Sequence, residues 1–263
     1  MKTWWSDLDR ILRGEATRLS ALRRGSIEIP AGGITFVLVI LAMFYGACMG
    51  SFAILKESGP SLWQLVASTV KVPALFVLTL LVTFPSLYVF NALVGSRLAL
   101  VSALKLLVVS LAVMVSVLAS LGPIVAFFSA STTTYAFMIL INVLAFGVSG
   151  LLGLLFLLRT LQRLSLVVPE PETEASEEVG DEKENSAEVK STGALEPMTD
   201  QILGRHVTTV FRCWVILFGV VGAQMGWILR PFIGNPARPF TWFRERDSNF
   251  FEAFWAALVS LFT

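Results

Sequence analysis

Between Lys105 and Arg159 the chain runs for 53 residues without one charged side chain. A soluble domain draws about a quarter of its residues from Asp, Glu, Lys and Arg, so no globular surface leaves such a gap. A helix crosses the ~30 Å hydrocarbon core with about 20 apolar residues, each rising ~1.5 Å. The run therefore holds two membrane spans and a turn. Its most polar stretch, Ser129-Ala130-Ser131-Thr132-Thr133-Thr134, is the expected turn, giving spans at about Leu104–Phe128 and Tyr135–Leu158.

Three further segments qualify. Gly33–Leu55 stops at Lys56-Glu57-Ser58-Gly59-Pro60, Val72–Gly95 stops at Ser96-Arg97, and Thr209–Leu229 ends at Arg230-Pro231. Arg212 lies in the first turn of the last segment, where its side chain can snorkel to the headgroups. Over the whole 263 residues, 55% are apolar and 15% charged, which excludes an ordinary soluble enzyme and a disordered chain. The fold class read from this pattern is all-α: a polytopic helical membrane protein with five transmembrane helices plus N- and C-terminal interfacial amphipathic helices.

Both ends and one connection differ in kind. From Trp4 to Arg24, Trp4, Trp5, Leu8, Ile11, Leu12, Leu19 and Leu22 share one helical face and Asp9, Arg10, Arg13, Arg23 and Arg24 lie mostly opposite. Tryptophan beside arginine on such a helix reads as a segment lying in the membrane interface; packing under the bundle is the plainer alternative. The first 28 residues lack a short apolar core followed by a small-residue cleavage site, so the first span is expected to remain in the mature protein. Pro169–Asp200 holds eleven acidic residues, two lysines and no aromatic residue, a composition that cannot bury enough apolar area to fold. After a proline-broken loop, Asn249 and Glu252 have the spacing of a capping box at the start of a short helix to Phe262. The chain thus divides into an N-terminal amphipathic helix (1–30), four spans (31–165), a disordered acidic linker (166–205), a fifth span (206–230) and an aromatic loop with an interfacial helix (231–263).

Lysine and arginine in short loops set orientation. With the N-terminus inside, fourteen fall on the cytoplasmic side and six outside, counting Lys56 and Lys71 in the first outer loop. The N-terminus and residues 159–212 are therefore expected in the cytoplasm and the aromatic tail outside, which in a bacterium means a multi-pass protein of the inner (plasma) membrane. The net charge of +1 hides a linker balance of −9 and a balance of +10 elsewhere.

Chemistry-bearing residues are few. Two cysteines and one histidine exclude a disulfide scaffold and a His- or Cys-based metal centre, and no phosphate-binding glycine loop is present. No cofactor is expected. Glu15 and Glu28 interrupt the N-terminal arginines, which points to the lipid bilayer as partner, not nucleic acid. No Asp, Glu or His falls inside a span, which argues against proton coupling. Neutral polar groups remain: Thr83, Tyr88, Asn91, Asn142 and Gln224 form a candidate intramembrane site, or they bond neighbouring helices, each bond contributing roughly 0.6–2 kcal/mol. Pro85 places a kink beside Tyr88 and Asn91. Gly147-Val148-Ser149-Gly150 has the pattern around a rhomboid-protease nucleophile, but the one histidine, His206, lies at the membrane edge, and a small-residue ridge is the simpler reading. Ala42, Gly46 and Gly50 in the first span and Gly222 and Gly226 in the fifth have small-xxx-small spacing, which packs these two spans together or builds a homo-oligomer.

The blocks Phe84-Pro85-Ser86-Leu87-Tyr88-Val89-Phe90-Asn91 and Gly222-Ala223-Gln224-Met225-Gly226-Trp227-Ile228-Leu229-Arg230-Pro231-Phe232-Ile233-Gly234 resemble those of uncharacterised bacterial polytopic membrane proteins. In architecture over residues 33–229 the chain is similar to the Yip-type (Rab-interacting) membrane proteins, which have five spans and a cytoplasmic N-terminus. It lacks their Asp-Leu-Tyr-Gly-Pro block. The resemblance implies a non-enzymatic organiser of membranes or membrane proteins. The expected docking surface for a membrane-protein partner is Phe232, Phe240, Trp242, Phe243, Phe250, Phe251 and Trp255. A small-solute channel or facilitator through the kinked second span is the alternative, and an intramembrane enzyme at Ser149 the third reading.

Overall fold

The computed structural model describes residues 2–14, 31–55, 62–93, 100–165, 213–234, 239–245 and 248–259. The expected acidic linker and His206 lie outside the described residues. Every regular element is helical among those described: α1 (Lys2–Leu12), α2 (Ala31–Gly50, continued by a 3₁₀ turn over Ser51–Ala53), α3 (Leu62–Leu93), α4 (Leu100–Ser131), α5 (Tyr135–Ser165), α6 (Cys213–Ile228) and α7 (Phe250–Val259).

Four of these, over Gly32–Ala53, Leu62–Ser86, Leu104–Ser131 and Tyr135–Thr160, are long and apolar enough to cross a bilayer. Large apolar side chains on their outer faces, among them Phe36, Val77, Leu81, Phe127, Leu144 and Leu151, are 47–66% exposed. A belt of that kind is tolerable only against lipid. The chain is a multi-pass membrane protein. The described part of α6 has 16 residues, about 24 Å of helix.

α2 is the hub. It packs along both α3 and α4, α4 packs along α5, and α7 folds back onto α5. α6 lies against α3: Trp214 at its start is fully buried and donates its indole N–H towards the Thr83 carbonyl (3.3 Å) and Ser86 Oγ (3.1 Å). These acceptors flank Pro85, whose ring cannot continue the helical hydrogen bonding. The Thr83–Ser86 turn of α3 thus serves as the socket that fits two helices together.

The turn after α4 falls at Thr132–Thr134, inside the expected stretch. The second span departs from expectation. It begins at Leu62, ten residues before Val72, and Lys71 lies inside the helix, only 4% exposed. A lysine reads as a boundary unless something distant satisfies its charge, and here something does, as described below.

The N-terminal helix is broken inside the expected Trp4–Arg24, of which residues 15–24 lie outside the described residues. It ends at Leu12, and Gly14 takes the left-handed conformation (φ 70°) that stops a helix without a Cβ penalty. Leu8 and Ile11 are buried, α1 packs on α2 and α4, and Trp4 meets Phe36 edge to face at 5.5 Å. The plainer alternative, a helix seated on the bundle, describes this seam, while Trp5 and Leu12 remain exposed.

The small-residue ridges pack internally, but not on each other. A Cβ at Gly46 would lie 2.6 Å from the Ser68 carbonyl oxygen and 2.9 Å from Thr69 Cα, so α2 and α3 touch backbone to backbone. Gly222 and Gly226 face Thr79 and Leu75 of the same α3. Both ridges use the second span as partner, not one another.

Gly46→Ala is expected to lower stability by about 1–3 kcal/mol, because helix backbones cannot yield as side chains do. Thermal unfolding in mild detergent checks this. A melting temperature equal to that of the wild type would mean that α2 and α3 are not in backbone contact.

Candidate functional site

A two-turn stripe of α3 carries Gln64, Ser68 and Lys71, at the i, i+4 and i+7 spacing that puts three side chains on one face. All three are buried, and all three reach the segment that follows α6. Gln64 Nε2 donates to the carbonyls of Pro231 (3.2 Å) and Phe232 (3.0 Å). The Ser68 hydroxyl donates to the Phe232 carbonyl. Lys71 Nζ donates to the carbonyls of Pro231 (3.2 Å) and Trp242, and stands 5.0 Å from the centre of the Phe243 ring.

The need for these donors follows from the loop. Residues 231–234 and 239–245 have no regular structure, so their carbonyls lack partners within an element, and a buried unpaired carbonyl costs about 1–3 kcal/mol. The ammonium of Lys71 in turn would be costly to bury alone; carbonyl dipoles and an aromatic face replace its water. A second tie lies at the end of α6. The Arg230 guanidinium stacks on Trp227 at 3.7 Å and donates to the Glu245 carbonyl, while Trp227 Nε1 donates to the Ser248 carbonyl. The capping box then starts α7: Glu252 N–H donates to Asn249 Oδ1 (3.0 Å), and Asn249 N–H donates to Glu252 Oε2 (3.3 Å).

The seven residues expected to form a docking surface divide. Trp242, Phe243, Phe251 and Trp255 are exposed, Trp255 to 65%. Phe240 is half-buried with its ring edge to face with Trp242 (5.8 Å). Phe232 and Phe250 turn inward and line a cavity between α5 and α6.

Of the five expected intramembrane polar residues, the three with described side chains, Thr83, Asn142 and Gln224, do not converge. Asn142 is buried on α5, accepts from Tyr45 Oη at 2.8 Å and donates to its own helix at Met138 O (2.7 Å). Thr83 donates to Thr79 O at 2.7 Å within α3. Gln224 is half-buried on α6 and does not line the cavity that Asn142 reaches. The side chains of Tyr88 and Asn91 lie outside the described residues. Ser149 is fully buried and its hydroxyl donates to Ala145 O at 2.7 Å, the ordinary helical use of a membrane serine.

That cavity has a volume of about 840 Å³. α5 and α6 each present a whole face to it, α3 and α4 form its floor, and α7 covers one end. Thr79 lines it and has a buried hydroxyl oxygen without a hydrogen-bond partner. Sequence reasoning missed the cavity and the three-residue stripe of α3. The stripe had a signal, Gln-x₃-Ser-x₂-Lys on one helical face, hidden by the assignment of Lys71 to a loop.

No protein-family model, curated protein or solved structure matches the chain.

Lys71→Met and Gln64→Leu each strip donors from the loop carbonyls and are expected to loosen the 231–245 segment by about 1–3 kcal/mol. Limited proteolysis in mild detergent should then cut this segment about five- to 150-fold faster than in the wild type. Cleavage at the wild-type rate in both variants would show that these contacts do not hold the segment.

Proposed function

We propose that the chain is a non-enzymatic, five-span protein of the bacterial inner membrane that acts as a platform for another membrane protein, with the 231–259 segment as its outer docking face. The observation that carries this reading is the triple tie from Gln64, Ser68 and Lys71 to that segment. A surface held in place before binding loses less conformational freedom when a partner arrives. The side chains it leaves exposed are Trp242, Phe243, Phe251 and Trp255, the residue class that dominates binding energy at interfaces.

Orientation follows from the loop charges. With Lys71 counted inside α3, fourteen basic residues stand on the N-terminal side and five on the other, a wider margin than the loop count alone provides. The apolar helix α6, 16 residues in its described part, is read as the fifth crossing. The five-helix order and the cytoplasmic N-terminus are also those of the Yip-type proteins that the chain resembles in architecture.

Two features support a platform over a facilitator or an enzyme. Thr83, Asn142 and Ser149 are bonded within the bundle and do not line a shared path. The cavity between α5 and α6 is walled mainly by hydrocarbon, a poor route for a polar solute.

The double variant Phe251→Ala/Trp255→Ala tests the reading. Each truncation of a central aromatic anchor typically costs 2 kcal/mol or more, so partner recovery in mild-detergent affinity purification should fall at least about tenfold. Thermal stability should stay near that of the wild type, since both side chains are exposed. An unchanged set and amount of co-purified membrane proteins would count against the docking face.

A further inference from the structure

The dimensions of the cavity between α5 and α6 choose among possible occupants. It is lined along α5 from Tyr135 to Leu157, about 33 Å of helix at ~1.5 Å per residue. A volume of about 840 Å³ is roughly a third of the ~2,600 Å³ that a helix ~10 Å across fills over that length. A helix with its side chains is ~10–12 Å across and does not enter. A single hydrocarbon chain, with carbon neighbours at about 4 Å, fills such a slot. The slot also matches the ~30 Å depth of the hydrocarbon core, so an acyl chain of any ordinary length is accommodated.

The walls agree with a hydrocarbon occupant. Leu107, Leu111, Phe146, Leu154 and Val215 are typical of them. The amide of Asn142 is already engaged by Tyr45 and Met138. The way in is lateral. Gly147 on α5 and Gly219 on α6 both line the cavity, both are exposed, and a Cβ at either would meet nothing within 4 Å. At neither glycine does a neighbouring side chain stand in the way of a chain sliding in from the surrounding lipid.

One end of the slot is charged. Arg230 and Arg244 line it beside Trp227 and Phe250, and among the described residues no acidic side chain lines the cavity. Cations at the end of an apolar slot suit an anionic headgroup, while the slot takes the chain.

We propose that the α5–α6 cavity binds one acyl chain of an anionic bilayer phospholipid, whose headgroup phosphate sits at Arg230 and Arg244. This goes beyond the platform reading and does not depend on it, because a docked protein partner would use the exposed aromatic face and not this slot.

The test uses the full chain reconstituted in vesicles of phosphatidylglycerol and phosphatidylcholine with identical acyl chains, extracted in mild detergent, with retained lipid counted by native mass spectrometry. The wild type should retain a single phosphatidylglycerol in preference to phosphatidylcholine. Gly219→Leu, which fills that open space, should abolish retention while the protein stays monodisperse with an unchanged melting temperature; Gly147→Leu provides the same readout from the opposite wall. Arg244→Gln should keep a bound lipid but reduce the preference for phosphatidylglycerol about fivefold. The proposal is overturned if the wild type retains no lipid above the detergent background, if either folded leucine variant retains as much as the wild type, or if a second protein chain occupies the cavity. None of these outcomes bears on the docking face, whose test reads co-purified protein and not lipid.

Discussion

A buried lysine holds the end of this molecule in place. Lys71 sits in the third turn of α3 with its charge among the carbonyls of Pro231 and Trp242 and the ring of Phe243, more than 150 residues away in the chain. Gln64 and Ser68 extend the same contact towards the start of the helix. An ammonium buried without partners would be strongly unfavourable, and irregular backbone packed on apolar helices without donors would be too. Each deficiency answers the other. From this junction follow the position of the 231–245 segment, the start of α7 over α5, and the closure of one end of the α5–α6 slot.

The rest of the bundle keeps its polar groups to itself. Ser110 on α4 donates to the Gly153 carbonyl on α5 at 2.8 Å, Tyr45 on α2 to Asn142 on α5, and the Trp214 indole of α6 to the Pro85 region of α3. Each bond joins two helices, as hydrogen bonds do where lipid removes the hydrophobic drive for association. A chain built this way has fixed crossings and few free polar atoms within the membrane. A Cβ at Gly147 or Gly219 would meet nothing within 4 Å, and the cavity that both glycines line is walled mainly by apolar side chains.

Much of the architecture was legible in the sequence, because membrane spans are written in local composition. The uncharged run after Lys105 fixed two helices and a turn at Thr132–Thr134, and Asn249 with Glu252 fixed the start of α7. What depends on distant partners was not legible. Lys71 looked like a loop residue because its acceptors lie 160 and 171 positions away. Small-xxx-small spacing marked Gly46 and Gly222 as points of close approach, but spacing does not name the partner, and both turned out to face α3. The length of α1 was misjudged because an amphipathic pattern can continue past a glycine that ends the helix, as Gly14 does. The aromatic tail read as one surface, yet Phe232 and Phe250 face inward, since helical phase and loop path decide which rings are shown.

The claim on which these points converge is that Lys71 is sequestered in the native protein. Its reactivity reports this directly. The purified chain, in mild detergent, is exposed to an amine-acylating reagent before and after unfolding, and modification is read peptide by peptide by mass spectrometry. The account expects the Lys71 peptide to stay unmodified in the folded protein and to react fully once it is unfolded, with Lys2 and the lysines of the acidic linker modified in both states. Acylation of Lys71 in the folded protein at the rate seen for those lysines would contradict it.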